Sequence, residues 1–526
     1  MWVYFPKTHS HFPTPFSIQP LRYCYLPSFR RSTTMIIKSF LLLILISSVL
    51  CSPFKVVNSR ITLNGLDVIL HGVNIVYKVA PYVPITDRFD PQLSLSEEDA
   101  KFLQQRGFFS VRLGLSLEGL IPTPWTIDYS YLDKIESIVN MLGKYNIFSL
   151  IDLHQDIFSP RTCGNGFPTW FVDELNLFDV LSTFPSPVHH TPYNRTSDGN
   201  IPLDQCLSTG FGEYYMSHAV GACYDELFTN PKGIKLVQQY WEAVSLRFKN
   251  NNNILGYNIV NEPFPGSILK DPTLVNPGVA DKKRLLPFYK VLFKTIRDVD
   301  PNTPLFFEGF TTDVFALGFN PSDLDFNNTV LSFHTYCMHV DKGIPKDDTV
   351  CTFQEVQQFD IRMKDVKRLG TGYFMTEFGA VHNDSVSIRD LQRVLSLADQ
   401  YKSGWMYWSY KGFNDPTTAS TADLEGFWNL NGDFQPAKVA TLTRPYPTFV
   451  AGVLESSYLL NNKYHVLYKA RGGETSKFFF GSVFTDRRVS LNSRNCSFQL
   501  TNLFVEITCT VDTDVRVSLS WTSVVV

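Results

Sequence analysis

No Cys-x-x-Cys pair occurs anywhere in the 526 residues, which leaves a zinc reading without its usual motif. His71, His154 and His334 are spread too widely along the chain for ligand spacing, so no metal and no other cofactor is expected. Charge of one sign is also missing. Lys and Arg total 47 against 50 Asp and Glu, giving a net charge of −3 with no basic patch, which argues against a nucleic-acid partner. The apolar run at 40–46 is too short for a comfortable bilayer span, and no other stretch is long and apolar enough for one. Internal repeats and low-complexity tracts are absent as well.

What is present is apolar and aromatic. Hydrophobic residues make up 44% and aromatic residues 14%, enough for a sizeable core, and the length suits one large barrel plus a smaller domain. Near the N-terminus a charged start at Met35–Lys38 leads into an apolar run and then Ser47-Ser48-Val49-Leu50-Cys51-Ser52. That layout reads as a signal peptide cut after Cys51, with Met35 an alternative start and residues 1–51 a removed extension. Secretion, to the cell exterior or to a digestive or lysosomal lumen, follows as the expectation. Four Asn-x-Ser/Thr triplets, at Asn194, Asn327, Asn383 and Asn495, agree with it. So do the cysteines that remain after cleavage: Cys337 with Cys351 and Cys496 with Cys509 are short-loop disulfide candidates. Among Cys163, Cys206 and Cys223, two can pair and leave one free.

Apolar strand-like runs recur at 68–74, 108–113, 147–153, 254–261, 304–308, 330–334, 373–377 and 404–410. Most are separated by helical spacing, such as Leu132, Ile135, Ile138, Val139 and Leu142, and Ser96 with Asp99 supplies a capping box for one helix. Eight buried strands alternating with helices predict an α/β fold, a closed (β/α)8 TIM barrel over residues 52–440. A hairpin near residues 61–65 precedes it. The barrel is interrupted by an irregular insertion at 156–232 rich in Phe, Trp and Leu. After Pro445 and Pro447 short alternating runs predict an antiparallel β-sandwich over 441–526, for which a propping role is the default.

The strand ends carry chemistry. Tyr257-Asn258-Ile259-Val260-Asn261-Glu262-Pro263 and Phe374-Met375-Thr376-Glu377-Phe378-Gly379 each run from apolar residues to a carboxylate. Two carboxylates at one rim are what glycoside cleavage requires. Glu262 and Glu377 are the chosen pair, with Glu308 the competing carboxylate. Asn74, Lys78, Arg112, Asp152, His154, Asp156, Asn261, His334, Tyr336 and Trp408 fall at or near the same strand ends. The spacing leaves the carboxyl separation open, and with it retention or inversion.

Asn261-Glu262-Pro263 with Thr376-Glu377-Phe378-Gly379 resembles the family 5 glycoside hydrolases. Gly72-Val73-Asn74-Ile75-Val76-Tyr77-Lys78, Asp152-Leu153-His154-Gln155-Asp156 and Gly404-Trp405-Met406-Tyr407-Trp408-Ser409-Tyr410 bring the resemblance closer to the endoglycoceramidases. It implies a retaining endo-glycosidase that cuts between oligosaccharide and ceramide, with Glu262 as acid/base and Glu377 as nucleophile. It also implies Asn261 on the sugar 2-hydroxyl, Tyr336 on Glu377, and His334, Arg112 and His154 supporting the carboxylates. Lys78, Asp156 and Trp408 would hold the sugar next to the scissile bond. The implied partner is a glycosphingolipid, met by a monomer in peripheral contact with membrane or lipid micelles. Phe158, Phe167, Trp170, Phe171, Leu175, Leu177, Phe178, Val180 and Leu181 of the insertion then read either as a lipid groove or as a satellite core. The alternatives are an endoglucanase-type polysaccharide hydrolase, a glucosyl- or galactosylceramidase or steryl glucosidase releasing one sugar, and a catalytically inactive glycolipid binder.

Overall fold

The first structured residues do not enter the barrel. In a computed structural model, which describes residues 52–310, 315–337, 340–341, 344–417 and 425–526, strands β1 (Phe54–Val57), β2 (Arg60–Leu63) and β3 (Leu66–Val68) form an antiparallel meander. The signal segment at 1–51 lies outside the described residues. β3 pairs not with a barrel strand but with the strand Tyr446–Val450, far along the chain.

The barrel follows as β4 (His71–Ile75), β5 (Phe108–Gly114), β6 (Phe148–Asp152), β7 (Ile254–Asn258), β8 (Leu305–Phe307) and β9 (Thr329–Thr335). After a two-stranded hairpin, β10 (Val340–Asp341) and β11 (Ile344–Pro345), β12 (Gly372–Phe378) and β13 (Trp405–Tyr407) close it against β4. All eight pairings are parallel and follow chain order, with the helices between them burying one apolar face each. The capping box of the first long helix, Glu97–Gln105, forms in both directions between Ser96 and Asp99.

β14 (Tyr446–Val450), β15 (Gly452–Leu460), β16 (Lys463–Ala470), β17 (Thr475–Phe479), β18 (Arg488–Asn492), β19 (Cys496–Leu500), β20 (Phe504–Cys509) and β21 (Thr513–Ser520) build two further sheets. One is seven-stranded, ordered β1-β2-β3-β14-β17-β20-β19, and the other is β15-β16-β21-β18. The sandwich therefore draws three strands from residues 54–68, which the sequence pattern assigned to the barrel. A hairpin's own residues do not show which distant edge completes it.

Barrel and sandwich share a core. Leu150, Leu255, Phe306, Val330, Phe374 and Met406, one from each of six barrel strands, pack in one buried cluster with Tyr446, Phe479, Val505 and Val517 of the sheets. Strand side chains alternate, so two residues further along most of these strands the same inward row reaches the other end of the barrel. Leu150 is followed by Asp152, Phe306 by Glu308, Val330 by Ser332 and His334, Phe374 by Thr376, and Met406 by Trp408. The interior thus passes from apolar at the floor, where the sandwich closes it, to polar at the C-terminal mouth.

The insertion is more regular than its composition suggests. It holds helices Thr169–Glu174, Phe178–Ser182 and His218–Thr229, and Phe158, Phe167, Phe171, Leu175 and Leu181 are buried within the main core. Trp170 donates to the Ile121 carbonyl at 2.9 Å and meets Trp125 edge-on. Most of this apolar run is therefore packed as protein core, continuous with the main core rather than a satellite of it; Phe178, 80% exposed, is the exception. Disulfides join Cys163–Cys206, Cys337–Cys351 and Cys496–Cys509, and Cys223 is free and buried. No helix among the described residues is long and apolar enough to cross a membrane.

Candidate active site

Glu377 reaches the barrel interior through a bulge. β12 and β9 pair Met375 with Phe333 and then Glu377 with His334, so Thr376 is the extra residue. Such a bulge re-aims the side chain that follows it. Thr376 still faces inward, sharing a hydrogen bond with Ser332 Oγ at 2.5 Å, and Glu377 now does too. Gly379 completes the motif, because at φ +108° a Cβ there would lie 2.2 Å from the Tyr407 ring.

Arg112, fully buried, organises the mouth. Its Nη1 donates to Glu377 Oε1 at 2.5 Å and to Asn74 Oδ1 at 3.3 Å, and its Nε to Asn258 Oδ1 at 3.0 Å. Nη2 reaches Asn261 Oδ1 at 2.7 Å, Asp152 Oδ1 at 3.0 Å and Glu308 Oε1 at 3.4 Å. The other Glu377 oxygen accepts from Tyr336 at 3.0 Å and lies 3.4 Å from His334 Nδ1. Burial raises the Glu377 carboxyl above its ordinary range, against the opposing pull of His334 and Arg112. The Tyr336 phenol is pushed well up by burial and by Glu377, so it stays a donor.

Glu262 lies beyond the end of β7 on a backbone turned to φ +37°, a region that costs a non-glycine residue free energy. Its neighbours hold that turn. Glu308 Oε2 accepts the Glu262 N–H at 2.9 Å, and Gln155 Nε2 donates to the carbonyls of Asn261 at 2.8 Å and Glu262 at 3.1 Å. The side chain meets His334 Nδ1 at 2.7 Å and is 19% exposed, against 7% for Glu377. His334 therefore bridges the two glutamates. One oxygen of each, together with the His334 nitrogen, lies within 4.8 Å of the others. The same trio has the spacing of a metal site; Glu377, Glu308 and Glu262 raise the imidazole to about 9, which favours its protonated form at neutral pH. Desolvation works against that rise.

Glu308, the competing carboxylate, is a brace. Besides Arg112 and the Glu262 backbone it accepts from Asn258 Nδ2 at 3.1 Å and Ser332 Oγ at 3.2 Å. Asn261 is 1% exposed; one amide hydrogen goes to the Gln155 carbonyl at 3.0 Å, and the other has no partner among the described residues. Asn74 is spent on the carbonyls of Thr376, Met406 and Tyr407 and on Arg112.

A second cluster adjoins the first. His154 touches neither glutamate; its Nδ1 meets Asp152 Oδ2 at 2.8 Å and its Nε2 meets Asp156 Oδ2 at 3.2 Å. These anions lift His154 to about 9 against its burial. Trp408 stacks on His154 at 5.2 Å, and Lys78 Nζ lies 4.8 Å from the Trp408 ring centre. Lys78 pairs with Asp156 at 2.7 Å and Asp415 at 2.5 Å and donates to Thr417 Oγ1 at 3.1 Å. All ten predicted site residues are thus gathered at one mouth. Asn258, Ser332, Thr376, Gln155, Asp415 and Thr417 were missed. Asn258 interrupts an apolar strand and Ser332 and Thr376 share the inward parity, which is the signal that would have found them; Asp415 and Thr417 carry none.

The model of the cellulase family (glycosyl hydrolase family 5) matches residues 86–414. An endoglycoceramidase of Cyanea nozakii is 35% identical over 393 residues, covering 74% of this chain and 75% of that protein. One from Hydra vulgaris is 34% identical over 427 residues, covering 79% and 78%. Among solved structures, endo-glycoceramidase II from Rhodococcus sp. superposes with a TM-score of 0.69 over 88% of this chain and 98% of that one. At 19% identity it speaks for the fold.

Proposed function

The chain belongs to glycosyl hydrolase family 5, beside the endoglycoceramidases, and from that premise we propose that it hydrolyses the bond between oligosaccharide and ceramide in glycosphingolipids with retention. The observation that carries the mechanism is the closeness of Glu262 and Glu377, whose nearest ligand oxygens lie within 4.8 Å. That closeness fits the narrow spacing of a double displacement better than the wider gap in which an inverting pair holds its water. Glu377, fixed by Arg112 and Tyr336, attacks the anomeric carbon. Glu262 gives its proton to the departing ceramide oxygen. Glu262 then takes a proton from water, whose oxygen displaces Glu377 and restores both carboxyls. Asn261, with an amide hydrogen free, donates to the sugar 2-hydroxyl; Lys78, Asp156 and Trp408 flank the same sugar.

The lipid half of the substrate is supported by apolar side chains exposed on segments that leave the C-terminal ends of β6 to β9: Phe178, Leu269, Phe315 and Phe353. They are suited to ceramide and to peripheral contact with a membrane or micelle. A solved complex of the Rhodococcus enzyme is described as holding ganglioside GM3. We read the protein as a secreted monomeric glycoprotein. Asn194, Asn327, Asn383 and Asn495 are all exposed, as glycosylation requires. Incubation with a ganglioside tests the function. Intact oligosaccharide of retained anomeric configuration plus free ceramide is expected. Stepwise monosaccharides, or cellulose breakdown with the ganglioside untouched, would favour the single-sugar or polysaccharide reading instead.

A further inference from the structure

The loop after β13 brings Asp415 into the mouth, and nothing in the proposed mechanism uses it. Asp415 Oδ1 accepts from the Thr417 N–H at 2.9 Å and Oγ1 at 2.7 Å, which fixes the carboxylate plane. Oδ2 is buried and faces Lys78 Nζ at 2.5 Å. Nζ of Lys78 donates to Thr417 Oγ1 and is ion-paired with Asp156 and Asp415, and the side chain is only 3% exposed. Lys78 as found is therefore an internal counter-ion, enclosed between two carboxylates. The group that faces outward is Asp156. Lys78, His154 and Asn165 all contact its Oδ2, and its Oδ1 has no partner among the described residues.

We propose that Asp415 is a positioning residue for sugar recognition: it grips Lys78 from the side opposite Asp156, and the lysine so held aims Asp156 Oδ1 as an acceptor at one hydroxyl of the sugar beside Trp408. The inference rests on the reading of this mouth as a glycoside site. It differs from direct contact in that Lys78 acts through Asp156, and Asp415 through Lys78. The selected ligand feature is a hydroxyl that donates, so a sugar deoxygenated at that position loses the contact.

The test uses p-nitrophenyl β-lactoside and its monodeoxy analogues with the wild-type protein, Asp415→Asn and Asp156→Asn. Loss of a hydrogen bond to a charged acceptor predicts that one analogue raises the wild-type KM by about tenfold or more. Asp156→Asn abolishes that discrimination. Asp415→Asn raises KM on the parent glycoside by a similar factor, shrinks the discrimination, and leaves kcat within about threefold. Asp415→Glu, which keeps the charge beside Lys78, restores part of the discrimination and serves if the asparagine variant does not fold. A uniform loss across all analogues, or a fall in kcat at unchanged KM, means Asp415 is only a structural ion-pair partner and overturns the proposal. Discrimination that survives Asp415→Asn overturns it too. These outcomes are separate from the natural substrate: cleavage of the aryl lactoside with no ceramide released from a ganglioside would remove the glycosphingolipid reading and leave this comparison intact.

Discussion

The mouth and the floor of the barrel are built from the same strands two residues apart, yet they are organised by opposite means. At the mouth, buried charges hold one another: Arg112 alone meets Glu377, Asp152 and Glu308. At the floor, rings stack. His71 lies between Trp405, at 4.1 Å, and Tyr446, at 3.5 Å, and burial holds its imidazole well below its ordinary value, so it stays neutral. Tyr446 also donates to the Gly107 carbonyl at 2.7 Å, and Phe109 stacks on Phe504 at 5.4 Å. Buried ion pairs stabilise little net of their desolvation, whereas packed aromatic area stabilises directly. The difference teaches where this fold keeps its stability and where it keeps its chemistry, and that a single inward row of side chains can serve both.

The sharpest way to break that comparison is at the glutamates. Glu377→Gln or Glu262→Gln is expected to cut kcat on any glycoside by roughly 10³- to 10⁶-fold, with thermal unfolding little changed. An equally large drop in melting temperature would mean the mouth also holds the fold. Arg112→Met should be the one mouth variant that does both. It strands Glu377, Asp152 and Glu308 without their cation, at a cost of about 3–5 kcal/mol in unfolding free energy alongside lost turnover. Tyr446→Ala at the floor should cost a similar 3–5 kcal/mol or so by cavity formation and leave kcat per folded molecule unchanged. Denaturant titration beside active-site-titrated kinetics separates the three.

Much of this arrangement was legible beforehand. Eight apolar runs alternating with helical spacing gave the barrel, and Glu262 and Glu377 stood out as charges closing such runs. What was illegible depends on distant partners. β1 to β3 show a meander but not that its edge belongs to β14. Glu308-Gly309-Phe310 shows no polar neighbours in sequence, because the hydrogen-bond donors to its carboxylate, on Arg112, Asn258, Glu262 and Ser332, lie on other strands or their ends. The bulge at Thr376 arises from pairing with β9. For the insertion, helical apolar spacing announces a face to be covered and cannot say whether protein or lipid covers it.

The charges at the mouth should also make it the pH-sensitive end. His154 and His334 are both lifted from 6.5 to about 9 by neighbouring carboxylates. A raised histidine contributes stability that is complete below about 6.5, its unfolded value, and is lost as pH rises through 9. Thermal unfolding followed from pH 6 to 10 should therefore show a falling melting temperature on the alkaline side, and Asp156→Asn, which removes one of the anions lifting His154, should begin that fall at lower pH. A profile unchanged by the substitution would mean that His154 is not held by Asp156.

The smallest effect is also the most selective. Phe171 is buried in the core and Trp170 packs against it, so replacing both with Ser should reduce cleavage of a glycolipid and of a soluble aryl glycoside alike, through lost stability. Phe178 sits on the same insertion with 80% of its surface exposed. Surface substitutions away from packed contacts change stability by less than about 0.5 kcal/mol, so Phe178→Ser should melt like the wild type. If this ring meets the lipid, kcat/KM on a ganglioside in mixed micelles should fall severalfold while the aryl glycoside is cleaved as before. Equal rates on both substrates would take Phe178 out of the lipid surface and leave that surface to the segments after β7, β8 and β9, where Leu269, Phe315 and Phe353 can be exchanged in the same way. The comparison of mouth and floor would then acquire a third region: a rim that neither reacts nor stabilises, and whose exposed apolar side chains matter only when the sugar arrives attached to a lipid.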